Sequence, residues 1–303
     1  MMRFWTSMVY APVEHYLPVA EALDELGYEG LLLADHLFSV RETASRYPYS
    51  EDGTPPWPGA VPFPDIWVTA AALAARTRRL RFGSSVCVAP ARDVFSLAKQ
   101  VGTLAALAPD RVALGVGVGW MREEYDLTGQ AFGNRGRRLD EMIDVMRALW
   151  SGDWTEYHGH HYDFAGVRML PAPASPVPLW CGGYSEPALR RAAALCDGWI
   201  GVFPDADRGR RIAAALRERL EEHGRDPEGF RIVASVPALG SVEDVEEWTE
   251  LGVTDIIVQP WAVSARGDST ERHVGGGEAL DLSTMVSAVE SFAARLAPAF
   301  RDA

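Results

Sequence analysis

Arg111 to Glu124 reads R-V-A-L-G-V-G-V-G-W-M-R-E-E. The apolar run from Val112 to Val118 is the signature of a strand buried in a parallel sheet. Glycine takes every second place from Gly115 to Gly119. Glycine weakens a strand interior unless something approaches the backbone closely. A flat ligand across the carboxyl end of the strand would be such a neighbour, making Gly117 and Gly119 candidate binding positions. Trp120, Arg122, Glu123 and Glu124 follow, where the chain leaves the sheet.

Working outward, the same alternation of strand and helix recurs on both sides. Upstream, Arg3 to Val9, Gly30 to Ala34 and Leu80 to Val88 read as strands. A helix from about Pro12 to Leu26 ends at Gly27, and Asp65 and Asp93 stand where helix caps belong. Downstream, strands are expected at Pro178 to Cys181, Trp199 to Phe203, Arg231 to Val236 and Thr254 to Val258. A Gly-rich loop is expected from Glu124 to Gly136, then helices over Arg137 to Leu149, Glu186 to Leu195 and Asp205 to His223. A further helix is capped by Ser241, and a final one begins at Ser283. Trp154 to Phe164 alternates around Gly159 as a hairpin does. Its histidines, His158, His160 and His161, lack a carboxylate or cysteine at ligand spacing and read as surface residues.

Eight strands alternating with helices predict a single α/β domain over 1–303, a (β/α)8 TIM barrel with insertions at the C-terminal face of the strands. A doubly wound open sheet is the alternative. In a barrel the active site lies at the carboxyl ends of the strands. There the sequence places Asp35-His36, Ser84 to Cys87, Gly115 to Trp120, Gly182 to Ser185 and Gln259 to Trp261. Between Leu37 and Pro64 both periodicities vanish. The stretch carries six prolines, with Tyr47, Tyr49 and Trp57. A loop this long is a functional lid or a disordered linker, and its aromatics favour the lid. Ser264 to Glu278, Gly-rich and charged, reads as a second loop.

Composition narrows the function. The chain has 303 residues, 48% hydrophobic, and a net charge of −13 from 42 acidic and 29 basic residues. That balance argues against a nucleic-acid surface. No apolar run approaches the ~20 residues of a membrane span. The N-terminus lacks a signal-peptide pattern, and three scattered cysteines, Cys87, Cys181 and Cys196, match no zinc template. A cytoplasmic protein without a metal is expected. Gly182-Gly183-Tyr184-Ser185 meets a helix start, an arrangement that suits an anion; an ordinary turn with a serine cap is the other reading. His36 is the candidate proton-transfer group, because histidine titrates near neutral pH, or else a core histidine bonded to a carbonyl. Asp35 orients it or caps backbone amides. Glu124 is a second acid, or pairs with Arg122 or Arg135.

Taken together, A34-D35-H36, G-S-S-V at Gly83 to Val86, A-P-D-R-V-A-L-G-V-G-V-G-W-M-R-E-E from Ala108, F132-G-N-R135, the Y157-H-G-H-H-Y-D-F hairpin, G182-G183-Y-S and D197-G-W199 resemble the luciferase-like monooxygenase superfamily. The G-x-G-x-G-W-x-x-x-E form looks most like the branch that uses coenzyme F420. The resemblance implies a flavin or deazaflavin oxidoreductase with a small-molecule substrate. It implies that Ser85-Val86 forms a bulge with a non-proline cis peptide supporting the ring. Asp35 and His36 would lie near ring and substrate, and Gly182, Gly183 and Ser185 would match a phosphate-binding turn. Trp120 stands where the sugar-phosphate dehydrogenases of the family have a catalytic glutamate, which puts that activity in doubt. Coenzyme F420 is the expected cofactor, with FMN or FMNH2 the alternative. A separate flavin or F420 reductase and a homodimer or higher oligomer complete the expectation. A two-component FMNH2-dependent monooxygenase and a non-catalytic flavin-binding barrel are the competing functions.

Overall fold

In the computed structural model of the protein, the residues described are 2–55, 57, 61–236, 239–261 and 281–300. Strand β1 (Arg3–Ser7) pairs with β2 (Gly30–Leu33), and β2 with β3 (Arg81–Ser84). After a two-residue break, β4 (Cys87–Val88) continues β3, and both pair with β5 (Val112–Gly117). A hairpin, β6 (Thr155–His158) and β7 (Asp163–Val167), stands apart. The main sheet resumes with β8 (Leu179–Gly182), β9 (Gly198–Val202), β10 (Arg231–Ser235) and β11 (Asp255–Val258). β11 pairs back onto β1, so the sheet closes, every pairing in it parallel. This is the expected eight-position barrel.

Helices α1 (Tyr16–Leu26), α2 (Ile66–Ala74) and α3 (Val94–Leu107) follow β1, β2 and β4. Short α4 (Arg122–Thr128) and α5 (Arg135–Leu149) follow β5; α6 (Glu186–Leu195), α7 (Ala206–Glu222) and α8 (Val242–Glu250) follow β8, β9 and β10, and α9 (Leu282–Arg295) closes the ring. The sequence-read caps hold: Asp65 accepts from the Trp67 and Val68 N–H groups, Asp93 from Ser96, and Ser241 forms a capping box with Asp244. Inside the barrel, Trp5, Leu32, Ala113, Trp180, Ile200, Val233 and Ile257 pack together. Trp5 and Trp180 meet edge to face at 5.4 Å.

Three expectations need correction. The third strand is not continuous from Leu80 to Val88; it breaks at Ser85–Val86, whose peptide bond is cis. The chain from Glu124 to Gly136 is not loop throughout, because α4 runs on to Thr128 and ends at Gly129 with φ +73°, and α5 begins at Arg135. The last helix is capped by Asp281 rather than begun by Ser283, its carboxylate accepting from the Thr284 N–H. The loop expected at 264–278, and Pro56 and Pro58 of the lid, lie outside the described residues.

The alternating glycines have a cause different from the one expected. A Cβ on Gly115 would run into the carbonyl oxygen of Ser84. One on Gly117 would lie 2.6 Å from Val86 Cγ2, and one on Gly119 would lie 2.6 Å from Val88 Cγ1. The neighbours that demand glycine are therefore the every-second residues of the adjacent broken strand. Gly182 of β8 completes the seat, since its Cβ would lie 2.9 Å from Val86 Cγ1. Val86 is held between Gly117 and Gly182. Overfilling such a seat typically costs about 1–3 kcal/mol. Gly117→Ala is expected to destabilise the protein by about that amount in denaturant titrations. Adding Val86→Ala to it should recover part of the loss, and a double-mutant cycle with no coupling would refute the contact.

Candidate active site

His36 leaves the end of β2 and points into the barrel mouth. Its Nδ1 lies 3.1 Å from Glu124 Oε1, and the same oxygen accepts the Leu37 N–H at 2.9 Å. Glu124 sits in the first turn of α4 and is 1% exposed. Its other oxygen, Oε2, is buried with no hydrogen-bond donor among the described residues. A buried carboxylate oxygen without a partner is costly and therefore marks a site for a ligand, a water or a proton. Neither partnership of Glu124 expected from sequence, with Arg122 or Arg135, forms. Arg122 and Arg135 instead lie over the Phe132 ring, at 4.5 and 3.7 Å.

Asp35 turns away from His36. One oxygen accepts the Val88 N–H at 2.8 Å and the other binds Arg92 Nη2 at 2.7 Å, while Arg92 Nη1 donates to the Val88 carbonyl. Of the two roles read for Asp35, capping amides is the one the geometry supports. Burial pushes its carboxyl up; Arg92 and the Val88 N–H only partly offset it. Asp35 and Arg92 tie the end of β2 to β4 and so fix the break from both sides. Arg92 was not singled out in the sequence; a charged residue just after a buried strand was the available signal.

The remaining candidates form a second group beside the first. Ser84 Oγ donates to the Gly115 carbonyl at 2.8 Å. The cis bond puts Val86 against Gly117 and Gly182. Gly119, at φ +64°, carries the chain past Val88 toward Trp120. Gly183 has φ +114°, and its carbonyl accepts the Trp199 indole N–H at 2.8 Å. The Tyr184 hydroxyl donates to the Val202 carbonyl at 2.9 Å and accepts the Val202 N–H at 2.6 Å. Ser185 occupies the N-cap position of α6, yet its side chain makes no capping bond, so the serine-cap reading fails.

Aromatic rings cover this mouth. Around His36 stand Phe63 at 5.0 Å, Trp57 at 5.8 Å and Trp120 at 5.9 Å, centroid to centroid. Tyr47 bridges Trp57 and Trp120 at 5.1 and 5.4 Å, and Tyr49 meets Tyr184 at 5.6 Å. Tyr10 adds a further ring, 6.2 Å from that of Trp57; neither it nor Phe63 is marked by the sequence, because periodicity says nothing about which loop rings converge. A cavity of about 650 Å³ opens at the opposite end of the barrel, among Arg147, Trp150, Asp197 and Arg225. Both arginines there bond backbone carbonyls, and Arg147 also binds Asp197. The polar groups named there are tied to one another and to the backbone, whereas the mouth holds the sequence-read candidates.

Comparison with known proteins agrees with the fold and with the resemblance. Residues 2–282 match the luciferase-like monooxygenase family model. An uncharacterized protein of Mycobacterium tuberculosis (strain ATCC 25618 / H37Rv) is 38% identical over 270 residues, 89% of this chain and 93% of the relative. An F420-dependent glucose-6-phosphate dehydrogenase of Mycolicibacterium gilvum is 27% identical over 259 residues, 81% of this chain and 72% of the relative. Among solved structures, a monooxygenase from Streptomyces bottropensis superposes with a TM-score of 0.75 at 17% identity, over 99% of this chain and 100% of the other. An F420-dependent secondary alcohol dehydrogenase gives 0.73 at 15% identity, over 100% of both chains.

The Asp35–Arg92 pair is open to a stability test. Arg92→Ala leaves a buried carboxylate unpaired, which typically costs about 3–5 kcal/mol. The folded state already holds the Asp35 carboxyl above its usual value. Between the unfolded and folded pKa values the native state therefore binds the extra proton, and stability falls as pH rises. Removing Arg92 carries that fall to higher pH, so the variant's deficit should grow as pH rises through and beyond the raised wild-type value of Asp35. Asp35→Asn in the same chain should flatten the pH profile; a deficit independent of pH would show that Asp35 is not its source.

Proposed function

The chain belongs to the luciferase-like monooxygenase family, and from that premise we propose that it is a coenzyme F420-dependent oxidoreductase, moving hydride to or from a small organic substrate. The carrying observation is the His36–Glu124 pair, with one buried carboxylate oxygen unpartnered, set at the barrel mouth among Phe63, Trp57 and Trp120.

The residues fit a flat cofactor with an anionic tail. Val86, seated between Gly117 and Gly182, offers a narrow apolar support for one face of a ring. Gly183 has no side chain and a φ of +114°, and the start of α6 follows it; backbone N–H groups in such a turn suit a phosphate. Bound there, the deazaflavin supplies the hydride centre. The protein's part is orientation and proton handling. Glu124 holds the Nδ1 side of His36, leaving Nε2 to donate or accept a proton at the substrate. The rings of Tyr47, Trp57, Phe63 and Trp120 exclude water from that exchange. Similarity to F420-dependent glucose-6-phosphate dehydrogenases at 27% and 30% identity supports this cofactor over FMN. Trp120 in place of an acidic residue argues for a substrate other than a sugar phosphate.

Titrating the purified protein with oxidised coenzyme F420 and, separately, with FMN reduced under anaerobic conditions tests the cofactor. Binding of F420 at least tenfold tighter is expected; preference for reduced FMN would replace this reading with the monooxygenase one. A general acid–base group typically contributes about 10²–10⁴-fold. His36→Ala should slow turnover by about that factor and leave the dissociation constant for F420 within about threefold. Gly183→Asp places a carboxylate in the turn and should weaken F420 binding; unchanged affinity would remove the turn from the site.

A further inference from the structure

Glu123 and Glu124 are neighbours on the first turn of α4, yet they hold different parts of one loop. Glu124 takes the beginning, at His36 and Leu37. Glu123 takes residues 43–45. Its Oε1 accepts the Thr43 hydroxyl at 3.1 Å, the Ala44 N–H at 2.7 Å and the Ser45 N–H at 3.2 Å. Its Oε2 accepts the Ser45 hydroxyl at 2.7 Å, and Ser45 Oγ in turn accepts the Arg122 N–H at 2.9 Å. One carboxylate thus gathers four donors from three consecutive lid residues. Slight burial pushes its carboxyl up, but the Ser45 hydroxyl and the backbone N–H groups outweigh that and bring it down to about 2. The latch is therefore fully charged at any ordinary pH.

What lies beyond the latch is a unit closed on itself. The Tyr47 N–H donates to the Gly53 carbonyl at 2.7 Å, and the Gly53 N–H donates to the Ser50 carbonyl. Arg46 Nη2 donates to the carbonyls of Glu51 and Asp52, Ser50 Oγ to that of Thr54, and the Thr54 N–H to Asp52 Oδ1. Residues 46–54 thus hold their own shape. The unit carries Tyr47 onto Trp57 and Trp120, and Tyr49 onto Tyr184. Tyr47 and Tyr49 thus meet Trp120 and Tyr184 ring against ring, and Glu123 gathers four hydrogen bonds at the stem.

We infer that Glu123 is a positioning residue that latches the 46–54 unit over His36, and that releasing this latch is the movement that opens the site. The inference rests on the functional reading above only for what the site holds; the latch itself is a property of the free protein. Lids of this kind commonly set the rate at which ligands leave.

Two arginines bracket the latched residues, so trypsin reports on the latch directly. The bonds after Arg41 and Arg46 can be cut only when the stem opens locally. With ligand-free protein, Glu123→Ala should speed cleavage at these two bonds about tenfold or more. Cleavage elsewhere and the melting temperature should stay as in the wild type. Glu123→Gln, which keeps a carbonyl oxygen for the backbone donors, should fall between the two. Ser45→Ala, which removes one donor and the link to Arg122, should give a smaller rise than Glu123→Ala. Should Glu123→Ala not fold, Glu123→Gln and Ser45→Ala carry the test alone. Cleavage at the wild-type rate in the folded variants, or acceleration spread evenly over the chain, overturns the latch. A second readout uses the cofactor: F420 should dissociate about tenfold faster from Glu123→Ala in stopped-flow chase experiments. If neither protein binds F420 while the cleavage difference stands, the cofactor assignment fails and the latch survives. If F420 binds both and leaves both at one rate, the latch does not govern the site.

Discussion

The structure depends on one steric fit: Ser84, Val86 and Val88 set against Gly115, Gly117 and Gly119, with Gly182 closing the far side of Val86. Val86 packs toward the cluster inside the barrel and Val88 toward Ala91 and Tyr125. A side chain at Gly117 or Gly119 would push the broken strand off its neighbour. That strand must lie where it does for three further reasons. Its Val88 N–H meets Asp35, its Arg92 follows, and its Val86 fills the seat beside Gly182. The fit thus links β2, β4, β5 and β8, the strands that carry most of the candidate site.

The exit of the same strand supplies the second organising feature. Successive residues on a helix point about 100° apart, so a single turn can serve two directions. Glu124 turns inward beneath His36, and Glu123 turns toward the lid stem. Glu124 is 1% exposed, and its contacts fix the His36 ring and the Leu37 amide. Glu123 gathers hydroxyls and amides of a surface loop, and its contacts place a cover. The His36 ring is fixed by the first and enclosed by what the second holds.

Much of this was legible in the sequence, and the remainder failed for physical reasons. Strands and caps were legible because apolar runs, glycines and Asp or Ser at helix starts act locally. The glycines at Gly115, Gly117 and Gly119 were recognised as a close approach, but the approaching group was misjudged. A ligand and a neighbouring strand make the same demand on a Cβ, and sequence separation hides which is present. Asp35 and His36 are adjacent in sequence, which leaves open whether Asp35 orients the ring or caps amides. Alternation sends them apart, to Arg92 and to Glu124, 57 and 88 residues away. The helix at Arg122–Thr128 was missed because it is two turns long and surrounded by glycine. Glu123 itself gave no signal, since the donors it collects are mostly backbone amides and hydroxyls.

The two ends of the barrel are closed by different physics. At the amino ends, Asp255 is fully buried and binds Arg3, Arg231, the Thr254 hydroxyl and the Trp5 indole N–H, joining β1, β10 and β11. Burial raises the Asp255 carboxyl, but Arg231 and Arg3 outweigh it and hold it below the usual value. Breaking that network exposes a buried charge, so this end opens only with the fold. At the carboxyl ends the cover rests on ring contacts and the exposed stem bonds of Glu123, the kind of attachment that opens locally. A buried charge network thus ties the strands together below, while the loop above is tied by one exposed carboxylate, and the latch proposed for Glu123 follows from that difference.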